Sequence, residues 1–115
     1  MSTRCGIGIL NTDNSVESIY CHYDGYPEGV GATLKHSYTN ESKIAELIEL
    51  GDISILDNTI EDTVAYHRDR GESRNNTKAN HYESEGQYYE EATDDYGADY
   101  LYLFKDGRWF IRRTF

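Results

Sequence analysis

The chain is short of the residues that usually carry chemistry. Its 115 residues hold two cysteines, one proline, one tryptophan and only 11 Lys+Arg against 21 Asp+Glu. Cys5 and Cys21 are too few for a disulfide scaffold. With His22 and His36 they match no zinc spacing such as CxxC or HxxxH. No metal and no cofactor is therefore expected. The shortage of bases gives a net charge of −10, which argues against direct binding along a phosphate backbone and against adhesion to an anionic membrane. No apolar run approaches the ~20 residues that span a bilayer. Met1-Ser2-Thr3-Arg4 leads into no apolar export segment, so no membrane partner is expected and two reduced thiols in a cytoplasm are the default. There is no phosphate-loop GKS/T and no GxGxxG.

What is present is tyrosine, 11 in all. Each scores as polar yet carries a large apolar ring, so the mean hydropathy of −0.77 understates the core. The length suits one domain, residues 1–115, with a modest interior. Cys5, Ile7 and Ile9 alternate with smaller residues, and Gly6 and Gly8 leave one strand face thin. Residues 11–15 are turn formers, and Val16 to Tyr23 is rich in β-formers. A five-residue loop there predicts a hairpin with Cys5 opposite Cys21 and Ile7 opposite Ile19. A short helix is predicted from Val30 to Tyr38, and a firmer one from Glu41 to Leu50 with Asn40 as cap and Gly51 as terminator. Ile53, Ile55 and Leu56 are expected to pack on the core from an irregular segment. Residues 62–67 are expected as a lone strand through Val64 and Tyr66, and residues 68–81 read as a polar, mobile loop. Residues 83–95 read as an acidic helix with Tyr88, Tyr89 and Ala92 inward. Asp106-Gly107 is a favoured two-residue turn that pairs Phe104 with Trp109 and Tyr102 with Ile111. Tyr100, Tyr102, Phe104, Trp109 and Ile111 then form a core face, and Lys105, Arg108 and Arg112 share the other with Leu101, Leu103 and Phe110. The sum is an α+β fold. Its antiparallel sheet comes from an N-terminal and a C-terminal hairpin plus a lone strand, with two or three short helices.

Charge is distributed by position. Glu83, Glu85, Glu90, Glu91, Asp94, Asp95 and Asp99 form a run without Lys or Arg. Arg68, Arg70, Arg74 and Lys78 precede it, and Lys105, Arg108, Arg112 and Arg113 follow it. Two readings of the acidic run stand. It imitates a nucleic-acid backbone and occupies a basic groove on another protein, or it is a solvated helix paired with the nearby basic loop. An alternative site is anionic-ligand binding by Arg68, Arg70 and Arg74 with Tyr20, His22 and Tyr26. Arginine forks suit phosphate and tyrosine rings stack on bases, so the ligand would be a small nucleotide. Free N–H groups at Gly29-Val30-Gly31, opening a helix, would add to it. His22 and Asp24 share a strand face and could form a His–carboxylate pair, the one arrangement that hints at catalysis. Tyrosines and hairpin edges also leave room for a homodimer.

The stretch Ser18-Ile19-Tyr20-Cys21-His22-Tyr23-Asp24-Gly25-Tyr26-Pro27-Glu28-Gly29-Val30-Gly31-Ala32-Thr33-Leu34 resembles the signature of a family of small proteins of tailed bacteriophages and prophages. Leu50 to Ser54, Ala65 to Glu72 and Gly97 to Phe104 fit the same pattern. The resemblance implies a non-enzymatic accessory protein acting in the cytoplasm of a bacterial host. Such a protein would bind and inhibit a host macromolecule, as anti-restriction and anti-CRISPR proteins do. It carries over no catalytic residue.

Overall fold

The computed structural model describes residues 2–115 as a mixed α+β fold. Strands β1 (Cys5–Leu10) and β2 (Val16–Cys21) form the first hairpin, in the predicted register with Cys5 opposite Cys21 and Ile7 opposite Ile19. Asp13 Oδ1 accepts from the Ser15 N–H at 3.0 Å, and Asn14 adopts φ 71°, so the loop residues earn their turn assignment. A π-helical turn over Pro27–Gly31 leads into α1 (Ala32–Ser37). Helix α2 (Glu41–Leu50) starts where Asn40 accepts from the Lys43 N–H at 2.9 Å. It ends at Gly51, φ 80°, where a Cβ would strike the Thr77 carbonyl. Then follow β3 (Ile53–Ile55), β4 (Val64–Ala65), α3 (Tyr66–Arg70), α4 (Arg74–Thr77), β5 (Asn80–Tyr82), α5 (Glu85–Tyr96), β6 (Tyr100–Lys105) and β7 (Arg108–Arg113).

All seven strands form one sheet in the order β4-β3-β2-β1-β6-β7, with β5 paired to β2 beside β3. The sheet is not purely antiparallel as expected. The β1/β6 and β2/β3 ladders are parallel. The cause is two crossovers on opposite faces: α1 and α2 carry the chain from β2 to β3, and α5 carries it from β5 to β6. Parallel neighbours require such helical connections, and the helices bury both faces. One face packs Ile7, Ile19, Leu34, Tyr38, Leu47, Ile53, Tyr102 and Phe104. The other packs Val16, Tyr88, Ala92, Tyr96, Leu101 and Leu103.

This second core corrects the reading of the C-terminal hairpin. Leu101 and Leu103 lie beneath α5 and are fully buried, whereas Ile111 on the supposed core face is 48% exposed. The thin face of β1 is where α5 sits: a Cβ on Gly6 would lie 2.9 Å from the Tyr96 ring, and one on Gly8 3.2 Å from the Tyr88 ring. Three further expectations change. The lone strand covers only Val64 and Ala65, since Tyr66 already opens α3. Residues 68–81 are not one loop but the end of α3, α4 and the start of β5 with short links between them, held by Arg68 donating to the Thr63 carbonyl and Thr77 Oγ1 to that of Ser73. Ile53 is a buried strand residue, but Ile55, two residues on, is 43% exposed, past an irregularity in the pairing with β4.

Candidate functional site: the acidic face of α5

Ser84 caps α5 by accepting from the Gln87 N–H at 3.1 Å, and Gly97 ends it in the left-handed region at φ 58°. Tyr88, Ala92 and Tyr96 fall on one stripe and are buried; Tyr88 donates to the Tyr102 carbonyl at 2.8 Å. The same helical period turns Glu90, Glu91, Asp94 and Asp95 outward, and all four are exposed. Glu90–Asp94 and Glu91–Asp95 are i,i+4 pairs, so like charges stand one turn apart. Four carboxylates occupy about 7.5 Å of helix axis. That density approaches the one charge per ~1.7 Å of a nucleic-acid duplex.

The rest of the run is anchored. Glu85 accepts from Lys105 at 2.8 and 3.0 Å. Glu83 lies 3.6 Å from the His81 ring, and Asp95 accepts from the Tyr82 hydroxyl at 2.9 Å. Asp99 is half-buried, with its backbone tied to Arg4 and Thr114. Glu90, Glu91 and Asp94 have no basic side chain in ion-pair range among the described residues, and no ion pair joins α5 to the bases of residues 68–78. No base lies in the last turn of α5. Asp94 and Asp95 therefore meet the negative end of the helix dipole uncompensated. Each like-charge i,i+4 pair costs about 0.2–0.5 kcal/mol in a helix. The fold tolerates this charge through packing of the opposite stripe and gains nothing from it.

The arginine–tyrosine constellation is only partly assembled. Arg68 is committed to Asp69 at 2.9 Å and to the Thr63 carbonyl. Arg74 turns toward Glu49 at 3.4 Å and the Leu50 carbonyl, lining a depression against α2 with Ala45 and Ile60. Tyr26 lies elsewhere, beside Thr3, Tyr100 and Phe115. Of the three arginines only Arg70 stacks on a tyrosine, and that is Tyr66, at 5.5 Å. Burial raises the Tyr66 and Tyr20 hydroxyls, and Tyr66 is near enough to push Tyr20 up further. Tyr20 and His22 are joined by a hydrogen bond to His22 Nδ1, and His22 meets Tyr23 edge-on at 4.5 Å.

The N–H groups of Gly29, Val30 and Gly31 are not free for an anion. Gly29 and Gly31 donate to the Tyr26 carbonyl, and Val30 to that of Asp24 at 2.8 Å. The His22–Asp24 pair does not form, because Asp24 takes φ 60° and its carboxylate accepts from Tyr26. Cys5 and Cys21 are free, buried thiols; burial and then the neighbouring Cys21 raise the Cys5 pKa. Among the described residues no helix is long and apolar enough to cross a membrane, and no group of three or more His, Cys, Asp or Glu is placed to hold a metal.

Sequence reasoning missed two concavities. One, of about 730 Å³, lies between the tips of the two hairpins, lined by Asp13, Glu17, Glu41, His81 and Lys105. The other runs between α1 and β7. Its residues Trp109 and Ile111 carry the alternation of a core strand, so nothing in the pattern marks them as surface. No family model, no curated protein and no solved structure matches this chain.

Proposed function

We propose that the protein is a non-enzymatic binder that sets the outward face of α5 against a basic surface of a macromolecular partner. The observation that carries this reading is the charge of Glu90, Glu91 and Asp94, which no base offsets among the described residues, on a helix with no base in its last turn. A solvated helix paired with its neighbouring basic loop would show ion pairs to residues 68–78, and it has none. A partner that handles nucleic acid offers the matching groove. The resemblance to phage proteins makes a host restriction, CRISPR or other nucleic-acid-processing protein the expected class, met in the host cytoplasm. The test is affinity capture from bacterial lysate with the natural chain and with Glu90→Lys/Glu91→Lys/Asp94→Lys. The natural chain retains a basic host protein that the charge-reversed one loses. Equal retention by both would overturn the reading.

A second reading has one observation in its favour. Arg70, stacked on Tyr66, has no carboxylate in ion-pair range among the described residues. A small nucleotide could stack there and place a phosphate on Arg70. Calorimetric titration with mono- and dinucleotides checks it. Heat that Arg70→Ala abolishes supports it, and no heat removes it.

A further inference from the structure

We propose that the free edge of β7 receives an extended acidic peptide segment of a partner protein, added as a further strand with an apolar side chain in the groove beside α1. Three observations converge on this edge.

The first is the ladder. Strand β7 ends the sheet. Asp106 and Gly107 take φ 52° and 78°, the two-residue turn that closes a hydrogen-bonded Lys105–Arg108 pair. Pairs then alternate, so Arg108, Phe110 and Arg112 bond to β6. The Thr114 N–H donating to the Asp99 carbonyl at 3.0 Å continues the same parity. Trp109, Ile111 and Arg113 therefore aim N–H and C=O away from the sheet. None of them has a backbone partner on that side among the described residues.

The second is the groove. Pro27, Gly31, Ala32 and Lys35 face Trp109 and Ile111 across a concavity of about 330 Å³. It continues along the turn end of β7 past Tyr38 and Thr39. Trp109 is a fixed wall: its Nε1 donates to the Tyr38 carbonyl at 2.9 Å, and its ring meets Phe104 edge-on at 5.3 Å. Ile111 is open at its rim.

The third is charge. In a chain with 21 acids, Arg108, Arg112, Arg113 and Lys35 have no carboxylate in ion-pair range among the described residues. The guanidiniums rest on rings instead, Arg108 on Phe110 at 4.9 Å, Arg112 on Tyr89 at 4.1 Å and Arg113 on Phe115 at 4.9 Å. Stacking holds them along the edge and leaves their N–H donors available.

Basic residues on an edge can serve only to prevent strand pairing. That role does not call for Trp109-Phe110-Ile111 between them, over a groove. A second copy added antiparallel by two-fold symmetry about Phe110 would set Arg108 against Arg112, like charge on like. A polynucleotide would use the arginines but not the backbone donors and acceptors. An extended peptide with acidic residues alternating with apolar ones uses all three features.

The test is fluorescence anisotropy with labelled decapeptides in which Glu alternates with Val, Leu, Phe or Tyr. Controls are the same peptides with Lys for Glu, the same peptides N-methylated at alternate residues, and a ten-nucleotide oligothymidylate. At least one Glu peptide binds the natural chain. The Lys and N-methylated forms bind at least tenfold more weakly. Arg108→Glu/Arg112→Glu weakens binding by a similar factor. Ile111→Pro removes an N–H that β6 does not use, so it abolishes binding with an unchanged far-ultraviolet circular dichroism spectrum. If that variant fails to fold, the N-methylated peptide makes the same test on the natural chain. No binding by any Glu peptide, equal binding of the N-methylated form, or preference for the oligonucleotide would overturn the proposal. So would a dimer that the arginine reversal strengthens.

Discussion

Replacing Asp52 by asparagine should flatten one component of the pH dependence of stability. The outer edge of β2 forks: β5 pairs Val16 to Ser18, and β3 meets it at Cys21. Between them the Tyr20 N–H has no strand to bond, and Asp52 Oδ1 accepts from it at 2.9 Å. Asp52 also joins the fork through its backbone, donating to the Thr77 carbonyl and accepting from the Tyr66 N–H. Burial pushes its carboxyl up from 3.8 to about 6, and the Tyr20 N–H only partly offsets this. The folded state then holds a proton that the unfolded chain releases. Stability at this site is full below pH 3.8 and falls as pH rises toward 6, by about 1.4 kcal/mol per pH unit. Over that window the fall is about 3 kcal/mol, and partial exposure of the side chain brings it nearer 2. Asparagine keeps an acceptor for Tyr20 and cannot ionise. Urea unfolding of both chains from pH 4 to 7 gives the difference in stability, in which the remaining titrating groups cancel. That difference should move about 2–3 kcal/mol in favour of Asp52→Asn as pH rises. A constant difference across the range would refute the reasoning.

Other consequences are simpler to read. Gly6→Ala should lose about 1–3 kcal/mol in thermal unfolding, because its Cβ would meet Leu101 at 2.8 Å and Tyr96 at 2.9 Å under α5. Asp94→Lys should stabilise α5 by a few tenths to about 1 kcal/mol, seen as a higher Tm, since it turns the Glu90–Asp94 repulsion into an attraction and suits the helix terminus. Neither thiol should react with a disulfide reagent in the native state, and both should react in urea, since Cys5 and Cys21 are fully buried.

Local chemistry made part of this fold legible. Asp106-Gly107 and the loop at residues 11–15 set both hairpin registers, and Asn40 and Gly51 bounded α2. Non-local pairing was not legible. The run Tyr100 to Phe104 is apolar at every position because α5 covers one face and α1 with α2 the other. A hairpin reading assigned only one of those faces to the core. Gly6 and Gly8 looked like missing side chains, and their purpose lies in tyrosines more than 75 residues away. The acidic run was visible as a run. That Glu90, Glu91 and Asp94 stay unpaired depends on where the arginines go. Arg68 and Arg74 turn to Asp69 and Glu49, while Arg112 turns to a tyrosine ring. The groove beside β7 stayed hidden because Trp109 and Ile111 alternate like core residues, while exposure is set by β7 lying last in the sheet.

The measurement that bears most directly on the central claim is capture by the acidic face. The natural chain and Glu90→Lys/Glu91→Lys/Asp94→Lys are each immobilised in bacterial lysate, with the Tm of both recorded. The account predicts a basic partner on the natural chain, released as salt rises, and absent from a variant at least as stable. A partner retained equally by both chains would contradict it.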